Sequence, residues 1–268
     1  MLKILIVTQD DPFYLPIFFK ELFKNDVSQK FNLKGIVIQP PLGKKSIKKL
    51  IPQMLDFYGY KNFLIVGSKF IILKTLNFIA VSLFNGKFPG TFSVEHLLIK
   101  KKIKIIQIKN INSKESLDYL KTLNPDIIFS VAASQIFKKD ILELPQLGCF
   151  NIHTSKLPKN RGMMPNFWSL YKYYEDPTSA ITIHKMNENL DDGDILIQRE
   201  FNLDPSESLD SLIKRTKKMS AETFLMAIDI LRNRSMNLIK NDPTEASYNS
   251  FPKKEDVLGF IEKGFKLR

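Results

Sequence analysis

Short apolar runs that alternate with segments of helical periodicity constrain the fold of this chain more than any other feature. The run at 2–8 (LKILIVT) is almost continuously apolar, as in a strand buried on both faces of a sheet. After the start signal of Asp10, Asp11 and Pro12, the segment FYLPIFFKELF has helical spacing. Because strands that alternate with helices form parallel sheets, we predict an α/β, Rossmann-like, mostly parallel sheet with helices on both faces. Its other strands are predicted at 33–38, 103–108, 126–131, 149–153, 180–186 and 194–203.

The C-terminal part of the chain is expected to form a long helix and a tail. Ser206 to about Arg232 is strongly helical, and Ser206 or the serine two residues later can cap its start. Pro243 interrupts this pattern, and an extended tail with a short helix is expected after it. We therefore predict one compact unit, with a catalytic domain over 1–204 and a C-terminal helix and tail over 205–268 packed on it.

The net charge of +12 raises the question of a nucleic-acid partner. Lysine accounts for 34 of the 40 basic residues, with only six arginines, whereas a reader of phosphates or bases usually relies on the bidentate arginine fork. The abundance of Lys, Ile, Phe and Asn also fits an A/T-rich genome. We favour this compositional interpretation over nucleic-acid binding. The positive charge is nevertheless suited to a small acidic substrate such as a nucleotide.

Several common kinds of site are disfavoured by the sequence. The single cysteine, Cys149, excludes an intramolecular disulfide and a zinc site built on cysteines. His96, His153 and His184 lie far apart in sequence, so no metal site is predicted. Glycine-rich nucleotide-binding motifs and the Gly-x-Ser-x-Gly motif of serine hydrolases do not occur. The N-terminal MLKILIVT has too short an apolar run for a signal peptide, which predicts a cytoplasmic protein.

The region 42–90 is an unusual helical insertion. Within it, 62–84 carries only Lys69 and Lys74 as charges, but its longest uncharged stretch is shorter than the roughly 20 residues of a spanning helix. The interpretation we favour is a helix buried under the sheet or at a dimer interface. The alternative is an amphipathic helix that lies on a membrane, with nearby lysines favouring anionic lipid.

The stretch GCFNIH (148–153) places two polar side chains at the end of a predicted buried strand. Residues i and i+2 of a strand point to the same face, so Asn151 and His153 project together. The carboxyl end of a parallel strand is where α/β sheets bind ligands. An amide and an imidazole there can donate hydrogen bonds to a developing oxyanion.

A cluster of acids in NENLDDGDIL (187–196) offers a partner for this histidine. Asp191, Asp192 and Asp194 lie beside Gly193, which allows a sharp turn into the last strand. A carboxylate close to an imidazole raises the pKa of the imidazole and holds it ready to transfer a proton. On the residues alone, an acyl-transfer site whose nucleophile belongs to the substrate and a structural polar cluster are equally open.

The stretch LELPQLGCFNIHTSKLPKNRGMMPNFW resembles the signature of the folate-dependent formyltransferases, and the likeness extends over about 91–204. This family has the pattern Asn-x-His-x-Ser-x-Leu-Pro, then Arg-Gly, and further on Asp-x-Gly-Asp. The matching residues here are Asn151, His153, Ser155, Leu157, Pro158, Arg161, Gly162, Asp191, Gly193 and Asp194.

The resemblance implies 10-formyltetrahydrofolate as the formyl donor, without a metal. It implies that Asn151 and His153 stabilise the oxyanion and that Asp191 keeps His153 charged. Arg161 can equally be a structural anchor, Trp168 can pack a helix on the sheet, and His184 is expected to be an ordinary core or surface residue. The implied folate-binding residues are Ala133, Ser134, Gln135, Ile136, Phe137, Leu190 and Asp192. The implied acceptor-binding residues are Ser155, Arg161, Gly162 and Trp168.

The formyl acceptor is predicted from features outside the shared motifs. The family includes enzymes that act on initiator tRNA, on glycinamide ribonucleotide and on amino sugars. The arginine-poor composition, the insertion at 42–90 and the short segment 234–268 in place of a C-terminal barrel favour a nucleotide-linked amino sugar used in surface glycans. Activity on methionyl-tRNA is the alternative within the same chemistry. A non-catalytic folate or nucleotide binder on the same fold and a homodimer are also open.

Overall fold

A computed structural model describes residues 1–40 and 47–268, and it confirms the predicted alternation of strands and helices. The strands are β1 (Lys3–Gln9), β2 (Asn32–Gln39), β3 (Ile105–Gln107), β4 (Ile127–Ser130), β5 (Cys149–His153), β6 (Arg161–Gly162), β7 (Thr178–Lys185), β8 (Ile195–Asn202) and β9 (Tyr248–Asn249). The helices are α1 (Leu15–Leu22), α2 (Ile47–Phe78), α3 (Val94–Lys100), α4 (Lys114–Leu123), α5 (Lys139–Leu142), α6 (Pro165–Tyr171), α7 (Leu209–Arg232) and α8 (Lys254–Glu262).

Seven of these strands form one sheet in the order β3-β2-β1-β4-β5-β7-β8. Strands β1 to β5 are parallel, and β7 and β8 continue the sheet in antiparallel orientation. The predicted mostly parallel sheet is therefore confirmed. The chain crosses from one side of β1 to the other between β3 and β4, so β1 and β4 border a topological switch point at their carboxyl ends. Ligands bind at such a crevice in open α/β sheets.

The two faces of the sheet carry separate hydrophobic cores. On one face, α1 and α7 bring Phe18, Phe19 and Phe224 against the strands, and all three are fully buried. On the other face, Phe137 and Leu120 pack against β1 and β4. Since complete burial of a phenylalanine contributes about 1.5–3 kcal/mol, these two layers fix the strands that carry the site.

The C-terminal segment lies against the rest of the chain. Helix α7 contacts α1, β7 and β8, and the last residues return to its start, where the Leu209 and Asp210 N–H groups donate to the carbonyls of Lys266 and Leu267. Strand β9 pairs with β6, and α8 packs on α6. This segment thus covers the end of the sheet next to α6.

The helical insertion differs from the favoured interpretation. Its residues 42–46 lie outside the described part of the chain. Helix α2 bends at Gly59, whose φ of 67° is left-handed, and after Phe78 it continues as a π-helical turn over Ile79–Leu83. The stretch Leu50–Leu83 is long and apolar enough to cross a membrane, with a mean hydropathy of 1.8, yet only 11% of its most apolar part is buried. The prediction of a helix buried under the sheet is therefore wrong, because most of the apolar side chains of α2 are not buried.

Candidate active site

The carboxyl end of β5 opens into a cavity of about 800 Å³. Asn151 lies between Ser130 of β4 and His184 of β7 in the sheet register, and both neighbours also line the cavity. Helix α2 contributes a wall through Phe57, Tyr58 and other side chains of its inner face. The predicted pair of Asn151 and His153 thus faces a partly open cavity at the switch point of the sheet.

Asp191 is the centre of the polar cluster in this cavity. The Asn151 Nδ2 atom donates to Asp191 Oδ1 at 3.3 Å, and the Gly162 N–H donates to Asp191 Oδ2 at 2.9 Å. His153 Nδ1 lies 3.6 Å from Asp191 Oδ2, and both side chains are 6% exposed. Although burial opposes ionisation, the nearby histidines His153 and His184 and the Gly162 N–H hold the pKa of Asp191 well below its usual range. Asp191 is therefore a buried carboxylate that remains ionised.

The loop that carries Asp191 is fixed by its own backbone and by the C-terminal segment. Asp191 has a left-handed φ of 53°. Any side chain at position 193 would overlap the Lys185 carbonyl oxygen, which explains why glycine is needed there. The Asn241 side-chain amide donates to the carbonyls of Asp191 and Gly193 at 2.9 and 3.0 Å. The tail beyond α7 therefore helps to position the carboxylate.

His153 is held in one tautomer by a backbone carbonyl. Its Nε2 lies 2.9 Å from the Asn160 carbonyl oxygen, which can only accept, so Nε2 carries a hydrogen and Nδ1 faces Asp191. Burial lowers the pKa of His153, and this outweighs the opposite effect of Asp191. Asp191 does raise the pKa of His153, as predicted, but the net shift is downward because the imidazole is removed from water.

His184 belongs to the cluster, although the sequence did not indicate this role. Its Nδ1 lies 3.1 Å from the Lys185 carbonyl oxygen, which leaves Nε2 as an acceptor toward Asn151 Nδ2 at 3.2 Å. The same Nε2 lies 3.5 Å from Asp191 Oδ1. The antiparallel pairing of β5 with β7 places His184 beside Asn151. The only signal in the sequence was its position at the end of an apolar strand just before the acidic loop.

Three of the predicted acceptor-binding side chains point away from the cavity. The Ser155 hydroxyl donates to the Asn160 carbonyl, and the Trp168 indole N–H donates to the Ser250 carbonyl. The Arg161 guanidinium is buried, where it pairs with Asp192 and donates to Asn241. These polar groups form hydrogen bonds within the protein, so a direct contact of these side chains with the formyl acceptor is not supported.

Asp192, predicted to bind folate, also lies outside the cavity lining. Its carboxylate accepts hydrogen bonds from the side chains of Arg161, Asn187 and Asn189. Gly162 does line the cavity, as do the predicted folate-binding residues Ala133, Ser134, Gln135, Ile136, Phe137 and Leu190.

The loop after β4 is anchored through its own polar groups. Gln39 at the end of β2 accepts a hydrogen bond from the Ser134 N–H at 2.9 Å. The Gln135 side chain accepts from the Ile111 N–H and donates to the Lys109 carbonyl. Because these side chains bind the protein itself, the loop offers mainly backbone groups and apolar side chains to a ligand.

Lys217 of α7 is a second functional candidate that the sequence did not indicate. It lines the cavity, and its ammonium makes no ion pair with any residue in the described ranges. Burial lowers the pKa of Lys217, while the Asp11 carboxylate raises it. A cation of this kind suits an anionic group of a ligand. Over 1–40 and 47–268, no group of three or more His, Cys, Asp or Glu side chains could hold a metal ion.

The sheet topology and the buried amide, imidazole and carboxylate define an α/β protein with an acyl-transfer type of site. Residues 89–228, more than half of the chain, match the formyl transferase family. The chain therefore belongs to the formyl transferase family.

Similar proteins are known both in sequence and in structure. The chain is 38% identical over 165 residues to a methionyl-tRNA formyltransferase of Thermotoga neapolitana. The matched region covers 62% of this chain and 52% of that protein. The chain thus spans about half the length of the curated relatives it matches.

A sugar N-formyltransferase from Shewanella has a TM-score of 0.57 and 18% identity, with 93% of this chain and 77% of that chain covered. An N-formyltransferase from Helicobacter canadensis, solved with folinic acid and dTDP-3-aminofucose, has a TM-score of 0.55 and 18% identity, over 93% of this chain and 71% of that one. At these identities the likeness shows the shared fold.

Proposed function

We propose that this chain transfers a formyl group from 10-formyltetrahydrofolate to the amine of a nucleotide-linked amino sugar. The observation that carries this proposal is the buried, ionised Asp191 in contact with Asn151 and His153 at the inner end of the cavity. In the reaction, a bond forms between the acceptor nitrogen and the formyl carbon, and the bond from that carbon to the folate nitrogen breaks. The acceptor amine loses one proton, and the folate nitrogen gains one.

The side chains of the cluster can accept the proton that the amine loses. His153 Nδ1 and Asp191 Oδ2 are both acceptors when His153 is neutral, and they face each other at 3.6 Å. A proton on His153 Nδ1 makes the two side chains an ion pair, so together they can take up a proton from the amine. Asn151 carries amide N–H donors beside this pair, and such donors stabilise negative charge on a carbonyl oxygen.

The cavity fits a folate in size and in lining. A volume of about 800 Å³ lies within the usual range of about 300–1,000 Å³ for ligand sites. Ile136, Phe137 and Leu190 offer apolar contacts for a flat ring, and the loop after β4 offers backbone groups for its polar edge. The formyl donor supplies the activated one-carbon group when it is bound.

The choice of acceptor is supported by the charge of the cavity lining. Lys69 and Lys217 both line the cavity, and their positive charges suit the phosphates of a nucleotide-linked sugar. The folinic acid and nucleotide-linked amino sugar in the Helicobacter canadensis protein are of the same two chemical classes.

Formylation of methionyl-tRNA is the second candidate, because a curated relative with this name is 38% identical over the matched part. It uses the same donor and the same catalytic residues, and differs only in the amine.

Release of tetrahydrofolate from 10-formyltetrahydrofolate tests the proposal. The acceptors would be a panel of nucleotide-linked amino sugars and charged initiator tRNA, with wild type compared with His153→Ala. Tyr119→Ser, at an exposed residue of α4, is the control variant. We expect wild type and Tyr119→Ser to formylate at least one of the amino sugars, and His153→Ala to lose this turnover. Turnover with tRNA alone would overturn the choice of acceptor, and folate binding without turnover on any amine would favour the non-catalytic binder.

A further inference from the structure

The outward side of α2 and of the π-helical turn that follows it forms an exposed apolar surface. We call this surface the outer face of α2. Each side chain below is at least 42% exposed, although such residues are usually buried in a soluble protein. The outer face consists of Leu64, Ile65, Ile71, Ile72, Phe78, Leu83 and Phe84.

Of the two charged side chains in the middle of this helix, Lys74 turns inward, whereas Lys69 is exposed and lies beside the cavity. Lys74 Nζ lies 2.7 Å from Asp10 Oδ2, and Lys69 Nζ lies 5.6 Å from the centre of the Phe13 ring. Asn77 accepts a hydrogen bond from the Ser93 hydroxyl at 2.6 Å. A surface helix in water normally turns its charges outward and its apolar stripe to the core. The reversed arrangement indicates that the outer face of α2 meets an apolar medium.

The inward contacts also define how the helix can meet a membrane. Lys74 and Asn77 tie the part of α2 beyond the bend at Gly59 to the rest of the chain, and the buried Phe57 ties the part before it, so each part has protein on one side. A helix held in this way lies in the plane of the lipid interface rather than across the bilayer. From 62 to 84 it offers a contact about 35 Å long at 1.5 Å per residue.

Charge favours lipid over a second copy of the chain. The outer face of α2 carries no charged residue between Lys61 and Lys87, so lysines stand at both of its ends. Basic residues next to an apolar face are attracted to anionic lipid headgroups. In a two-fold pairing of antiparallel outer faces, Lys61 of one copy would instead meet Lys87 of the other, and two molecules of charge +12 would repel.

We infer that the outer face of α2 docks on an anionic lipid surface, with the helix lying along the headgroup boundary. Other side chains of α2, Phe57 and Tyr58 before the bend and Val66 and Lys69 after it, line the cavity. Docking therefore holds the cavity about one helix diameter, roughly 10 Å, from the lipid. This binding does not depend on the proposed chemistry.

Co-sedimentation of the full chain with vesicles tests the inference. One set of vesicles would contain phosphatidylcholine alone, and the other equal parts of phosphatidylcholine and phosphatidylglycerol. The test variant is Ile71→Ser, Ile72→Ser and Phe78→Ser combined. The matched control combines Tyr119→Ser, Met226→Ser and Leu258→Ser, which replace exposed apolar side chains of α4, α7 and α8.

Wild type and the control are expected to sediment with the phosphatidylglycerol vesicles. The affinity of the test variant for these vesicles is expected to be lower by about 10-fold or more. Added salt should weaken binding of the wild type, because headgroup attraction is screened. Absence of sedimentation of the wild type, or equal binding of wild type and test variant, would overturn the inference. If the wild type is a dimer and the test variant is a monomer, a second copy of the chain is instead the occupant of this surface.

Circular dichroism of each variant would verify folding. Tetrahydrofolate release in detergent-free buffer separates the two proposals, because the test variant should retain turnover on soluble acceptors. A wild-type protein that binds the phosphatidylglycerol vesicles but shows no turnover on any acceptor would count against the proposed chemistry only.

Discussion

Asn151 Nδ2 lies between two acceptors, 3.3 Å from Asp191 Oδ1 and 3.2 Å from His184 Nε2. The amide nitrogen carries two hydrogens, so it can donate to both and hold the carboxylate against the strand end. His184 in turn is oriented by the Lys185 carbonyl. The position of Asp191 is therefore determined from β5, β7 and the C-terminal segment together.

Replacement of this carboxylate should abolish most of the activity. Asp191→Asn removes the negative charge that faces His153, and we expect turnover to fall about 10²–10⁴-fold, as for loss of a general acid–base group. Glu188→Gln, on the same loop but outside the cavity lining, is the matched control and should keep wild-type turnover. Steady-state rates of tetrahydrofolate release measure both, and equal rates for the two variants would contradict a catalytic role of Asp191.

The stability of the protein should depend on pH through His153. Burial lowers the pKa of this imidazole in the folded chain, whereas in the unfolded chain it stays near its usual value of about 6.5. The unfolded chain therefore binds a proton first as the pH falls. The free energy of unfolding should decrease from about pH 6.5 downward, toward the lower pKa of the folded state.

Urea unfolding of wild type and His153→Gln at several pH values measures this effect. His96 is also buried with a lowered pKa, so part of the pH dependence will remain in the variant. The variant should nevertheless lose less stability between pH 7 and 5 than wild type. An identical pH dependence of the two proteins would count against a neutral His153 in the folded state.

Removal of the cavity lysine should weaken binding without unfolding the protein. Lys217→Met keeps the aliphatic bulk and removes a charge that burial already disfavours, so the free energy of unfolding should not decrease. The KM for whichever anionic substrate it contacts should rise about 10-fold or more, since a hydrogen bond to a charged group contributes about 1.5–3 kcal/mol.

The exposed neighbour supplies the control for this experiment. Lys218→Met removes a charge of the same kind from the solvent side of α7 and should leave KM unchanged. If both variants raise KM to the same extent, the effect comes from net charge and Lys217 does not contact the substrate.

Arg161 should act as a structural anchor. Arg161→Met leaves the Asp192 and Asn241 side chains without their shared partner, and we expect a loss of about 1.5–3 kcal/mol in the free energy of unfolding. Arg199→Met breaks the exposed pair with Glu222, which should cost about 1 kcal/mol or less. Chemical denaturation of the two variants measures the difference. A stable Arg161→Met protein with a greatly raised KM for the acceptor would instead restore its role in binding.

The sequence by itself determined the seven strands of the main sheet and the pair at the end of β5. Apolar runs and helical spacing are local patterns, and β5 begins and ends where the sequence predicted it. Asn151 and His153 share a face because neighbouring side chains alternate along any strand. The sequence also predicted a sharp turn at Gly193, two residues after Asp191, and the structure has no room for a side chain at this position.

Only the tertiary structure decided which side chains meet. His184 entered the cluster through the register between β5 and β7, and Lys217 reached the cavity because α7 packs across that face of the sheet. Arg161, Asp192 and Trp168 turned inward to hold the loop and the tail, which no spacing along the chain encodes. The apolar composition of α2 predicted burial, but its exposure was decided by the face that packs, because hydrophobicity along a sequence does not specify the partner that covers it.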